Sequence, residues 1–168
     1  MRNPVLNRQH ARDYFLYGGA AAILFVLPVW YFLARADYEQ SWVVYSGTIL
    51  FMFAIMAYAI RLVRLPQDQK SAVGMLMAGH LVILTGILLS VLFSGILCLV
   101  YIPGFMSGHS ADGFLQNTPS GLNRNNTGTV FQVFVPATLG NLGAGSFISV
   151  IISYALKPNQ TKDKPAPL

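Results

Sequence analysis

Residues 72–102 read AVGMLMAGHLVILTGILLSVLFSGILCLVYI, a run without a single Asp, Glu, Lys or Arg. As one helix it would reach roughly 46 Å at 1.5 Å per residue, beyond the roughly 30 Å hydrocarbon core of a bilayer. Such a run crosses a membrane with tilt, or with one end standing clear. Three more apolar stretches flank it, at 14–33, 42–63 and 130–156. The pattern predicts an all-α polytopic membrane protein with four transmembrane helices in an antiparallel bundle. One domain then occupies residues 1–157, with a long loop at 103–129, and the Pro- and charge-bearing tail at 158–168 is expected to be disordered.

Charge orients the four stretches. Arg2, Arg8, Arg12, Arg61, Arg64, Lys70, Lys157, Lys162 and Lys164 fall on one face of the predicted topology, and only Arg35 and Arg124 on the other. Positive residues stay cytoplasmic, so both termini are expected inside the cell. Aromatic residues sit where the two interfaces would lie, with Tyr14, Phe15 and Tyr17 at one end of the first helix and Trp30 and Tyr31 at the other. Retention of that helix is expected, because its apolar run exceeds the core of a signal peptide and no small-residue cleavage motif follows.

Composition excludes several classes. The chain is 54% hydrophobic and 10% charged, where a soluble domain carries about 25% charge. The net charge of +5 lies at helix ends and tails, so no nucleic-acid partner is implied. Cys98 is the single cysteine, which rules out an internal disulfide. Every acidic residue (Asp13, Asp37, Glu39, Asp68, Asp112, Asp163) lies at an end, loop or tail. No paired carboxylate, nucleophile elbow or phosphate loop is present, and we expect no enzyme activity. His80 has no second membrane histidine with which to hold a haem, and His109 with Asp112 makes only two ligands. No metal and no cofactor is expected. Ser107 beside His109 lacks a third member for nucleophilic chemistry.

What remains is small and polar. Gly86, Ser90, Ser94 and Cys98 recur every four residues and form one ridge of the third helix. Ala137, Asn141, Gly145, Ser149 and Ser153 form a second ridge on the fourth. Ridges of this kind let membrane helices approach closely. Pro66 stops the second helix, and the connection Leu65–Ser71 is short enough for the second and third helices to form a hairpin. Two polar side chains fall inside the spans, His80 roughly 12 Å along its helix and Asn141 roughly 15 Å along its own. Their similar depth allows a hydrogen bond across the bundle, either as interhelical glue or as part of a proton or solute site.

The turn Tyr58-Ala-Ile-Arg61-Leu-Val-Arg64, the Ala72-Val-Gly74 start of the third helix and Ser149-Val-Ile-Ile-Ser153 before a basic end carry a likeness. In this layout the chain resembles the DUF4199 family of small bacterial membrane proteins, which has no assigned function. The resemblance implies four helices in a bacterial inner membrane and no catalytic residue. Taken together, we expect an accessory or assembly subunit that packs against other membrane proteins or itself within the lipid bilayer. The alternative is a small-solute or proton transporter or channel, oligomeric in form, using His80 and Asn141.

Overall fold

In hydrocarbon no water takes up backbone N–H and C=O groups, so an apolar stretch has the helix as its only open form. The computed structural model of the protein describes residues 8–64, 72–106, 114–119 and 127–155. The connection Leu65–Ser71, Ser107, His109, Asp112 and the tail at 158–168 lie outside the described residues. The helices are α1 (Arg8–Arg35), α2 (Trp42–Arg64), α3 (Ala72–Tyr101), α4 (Thr127–Val135) and α5 (Asn141–Ala155). Four spans are long and apolar enough to cross a membrane, α4 and α5 together making the fourth. No strand occurs among the described residues.

The fourth span is not one uninterrupted helix, as its apolar run suggested. Pro136 lacks an N–H and its ring crowds the preceding turn. A π-turn, Pro136–Gly140, absorbs this, with the Asn141 N–H reaching back to the carbonyls of Pro136 and Thr138. Single π-turns inside membrane-length helices are frequent at functional positions.

The spans form a square. α1 lies against α2 and α3, α5 lies against the same two, and α2 meets α3 only across the shorter diagonal. The expected hairpin of the second and third helices is therefore not a close pair. The closest backbone-to-backbone approaches lie on other seams, whereas α2 meets α3 through the Phe51 ring on Gly86. A Cβ added at Gly47 of α2 would sit 2.8 Å from the Phe25 carbonyl oxygen of α1, and one at Gly18 of α1 3.0 Å from the Gly86 nitrogen of α3. On the opposite side, a Cβ at Gly145 would lie 2.9 Å from Ile83. Without a hydrophobic drive between helices in lipid, seams that bring backbones together decide who neighbours whom. Phe25, Phe32, Phe51, Ile55, Val82 and Ile83 fill the interior, while Phe15, Leu88, Val100, Phe131 and Phe147 face outward.

The two ends are closed differently. At the end carrying Arg12, Arg61 and Arg64 (the basic end), the exposed Arg61 guanidinium donates to the Tyr17 hydroxyl at 3.2 Å and lies 3.5 Å from Asp13. At the far end α1 stops at Ala36, whose φ of 52° is the left-handed turn of a helix C-terminus. There the segment 114–119 folds back onto the bundle. Tyr38 N–H donates to the Gln116 carbonyl at 3.0 Å and Gln116 N–H to the Ala36 carbonyl at 2.6 Å. The Asn117 amide donates to Asp37 at 3.2 Å, and Leu115 is buried against the core. Asp37 also caps the turn Tyr38–Gln40 through the Glu39 N–H. Asp37→Ala removes both roles, and hydrogen exchange at the Gln116 amide is expected to accelerate; an unchanged rate would show that the strap holds without it.

Candidate functional site

Helices α3 and α5 run antiparallel in a register fixed by Gly79 against Ser149 and Ile83 against Gly145. That register sets His80 beside Ser146, with a distance of 3.3 Å between Nε2 and Oγ. It leaves Asn141 one turn further along, so the expected pairing of His80 with Asn141 does not form. The His80 Nδ1 lies 2.8 Å from the Leu76 carbonyl. A carbonyl only accepts, so Nδ1 carries the proton, and in the neutral ring Nε2 accepts from the Ser146 hydroxyl. Nitrogen-15 resonances are expected to show this Nδ1–H tautomer, with Ser146→Ala moving the Nε2 signal and leaving Nδ1 in place. A spectrum dominated by the other tautomer would contradict the assignment.

Asn141 is wholly buried. Its Nδ2 donates to the Ala137 carbonyl at 3.2 Å, inside the π-turn, while its Oδ1 is buried without a partner. It has company. Thr48 Oγ1, Ser90 Oγ, Ser94 Oγ, Ser149 Oγ and Gln132 Oε1 are likewise buried and unpartnered. Hydroxyls in membrane helices usually turn back to a carbonyl of their own helix. Thr85 does so to Leu81 at 2.8 Å, Thr138 to Phe134 at 2.7 Å and Ser46 to Val43 at 2.6 Å. The interior set makes no such bond.

Register places three of these oxygens at one depth. Phe51 of α2 meets Gly86 of α3, so one turn toward the far end Thr48 comes level with Ser90. A Cβ at Gly140 would lie 3.3 Å from Thr48 Oγ1, and Asn141 follows Gly140 directly. Thr48, Ser90 and Asn141 therefore share the middle of the bundle within about one helical turn. Ser149 lies toward the basic end beside Gly79, and Ser94 with Gln132 toward the far end near the contact of Gly95 with Phe134. Polar oxygens thus recur at three levels through the interior.

Both small-residue ridges lie inside this one bundle. Ser90, Ser94 and Cys98 are buried, as are Ala137, Asn141, Ser149 and Ser153, while Gly86 and Gly145 close onto Phe51 and Ile83. The sequence reading had the ridges and Asn141 but not Thr48, Gln132 or Ser146. Thr48 had a signal: Val44, Gly47, Phe51, Ala54, Ile55 and Tyr58 make the buried stripe of α2, and position 48 falls on it at helical spacing.

The chemistry available is that of neutral oxygens. Among the described residues no group of three or more His, Cys, Asp or Glu is placed to hold a metal. Leaving a neutral polar group unpaired costs on the order of 2 kcal/mol.

The fold and its interior define a polytopic four-helix membrane protein with a polar midplane. No family model, no curated protein and no solved structure matches the chain.

Proposed function

We propose that the protein is a small-solute or proton transporter or channel, non-enzymatic and without a cofactor. One observation carries this reading: buried, unpartnered oxygens on α2, α3 and the fourth span lie at similar depth near the middle of the bundle, beside a π-turn. Orphaned polar groups in a protein interior cost about 1–3 kcal/mol each, and inside a membrane polar residues mark functional positions. Interrupted helices at the midplane are where transporters hold their solutes.

An accessory or assembly subunit would draw on small-residue ridges beyond what one bundle needs for its own packing. With both ridges inside the bundle, that argument loses its surplus. The likeness to the DUF4199 family is one of layout and adds no activity. The orientation that goes with this reading has the basic end, and so both termini, in the cytoplasm of a bacterial inner membrane.

The test is purified protein in liposomes, assayed for flux of protons, monovalent ions and small neutral solutes, alongside mass analysis of what co-purifies from the membrane. Protein-dependent flux is the expected result. A defined complex with other membrane proteins and no flux of any kind would return the accessory reading.

A further inference from the structure

We infer that the strap 114–119 is a lid over the far end of the bundle, latched by Asp37 and opening as one piece. The inference rests on the solute-handling reading and gives that path its far-side gate. Topology is the first support. α3 ends at Tyr101 and the fourth span begins at Thr127, and these two spans are neighbours. Elements that lie side by side are commonly joined by about 4–6 residues. The chain instead travels to the opposite corner of the square, where Gln116 bonds to Ala36 and Tyr38 between α1 and α2. α1 stands diagonal to the fourth span, so the strap reaches across the mouth before the chain returns. There Leu115 is buried in one apolar cluster with Leu33, Ile102 and Val133.

The second support is that the strap is braced within itself and lightly held. The Thr118 hydroxyl donates to the Leu115 carbonyl at 2.8 Å, and Asn117 takes a left-handed φ of 57°, which asparagine tolerates better than most residues. Bracing of this kind lets the strap move as a unit. Its latch is the pair of backbone bonds to Ala36 and Tyr38, with the Asn117 amide on Asp37. Gln116 and Asn117 are exposed, so water replaces these bonds at little net cost when the lid lifts. Burial of Leu115 favours closure. Hydration of the oxygens beneath favours opening: Ser94 Oγ and Gln132 Oε1 are buried without partners, and Ser94 stands two turns inside Ile102. These opposed terms leave the lid poised.

Cys98 is the single thiol of the chain and is wholly buried in the same cluster as Leu115, which makes it the reporter. With the full chain in nanodiscs, a charged methanethiosulfonate is expected to modify Cys98 slowly. Asp37→Ala and Leu115→Ala are each expected to raise that rate roughly tenfold, the ratio for about 1.4 kcal/mol. Far-UV circular dichroism confirms that the helices persist in both. The second arm uses liposomes and a Cys98→Ala background carrying Asp37→Cys and Asn117→Cys, whose native side chains meet at 3.2 Å. Closing this pair with a short reducible cross-linker is expected to stop the protein-dependent flux, and reduction to restore it. Equal rates at Cys98 in the parent and both variants overturn the lid, and so does flux that persists through the cross-linked protein. No flux from the parent, with Cys98 labelling accelerated in the variants, overturns the solute reading and upholds the lid.

Discussion

Gly47→Ala weakens the bundle, although alanine is the better helix former. In a soluble helix the exchange would gain about 1 kcal/mol. In a membrane the separated helices stay helical, so most of that gain is absent from the folding equilibrium. The clash is not. The new methyl meets the Phe25 carbonyl oxygen at 2.8 Å, and a backbone atom cannot rotate away as a side chain would. Overpacking of this kind costs about 1–3 kcal/mol, and Gly47→Leu should part α1 from α2 altogether. Gly143 supplies the control, since nothing lies within 4 Å of its Cβ position, and Gly143→Ala is expected to be neutral or slightly stabilising. Thermal unfolding in detergent, followed by circular dichroism and by loss of compact mass, separates the two. Equal behaviour of Gly47→Ala and Gly143→Ala would refute the close seam.

Asn141→Leu is expected to abolish most of the flux while leaving stability unchanged or raised. Leucine removes a buried orphan oxygen, a relief of about 1–3 kcal/mol, and loses one amide-to-carbonyl bond of about 0.5–1.5 kcal/mol. A residue acting as interhelical glue would behave oppositely, with stability falling by about 0.6–2 kcal/mol. The two measurements on one variant therefore distinguish a solute site from a structural contact. Loss of stability with flux intact would make Asn141 glue. Improved stability at the expense of function is the usual mark of a polar group retained for activity.

The spans were legible in the sequence because length and hydropathy suffice for them, and 72–102 alone nearly decides the class. Their neighbours were not. The short connection at 65–71 favoured a close pair of α2 and α3, whereas the partnerships follow from where glycines let backbones touch, as between Gly18 and Gly86. A spacing of four residues announces a ridge without saying what it faces. Asn141 was visible as a polar residue in an apolar run, yet its neighbours depend on a register that places Ser146, and not Asn141, beside His80. The π-turn was not read from the sequence, although Pro136, which lacks an N–H, stands at its start.

The order of the helices around the square has a consequence in time. α1 and α2 are neighbours in the chain and in space, so they can pair as soon as both have entered the membrane. α3 then docks beside α1, and the ring stays open until the fourth span is delivered. Thr48, Ser90 and Asn141 belong to three different spans, the last of them made latest. A partly inserted chain therefore lacks the Asn141 amide, and the polar midplane is complete only when the fourth span is in place.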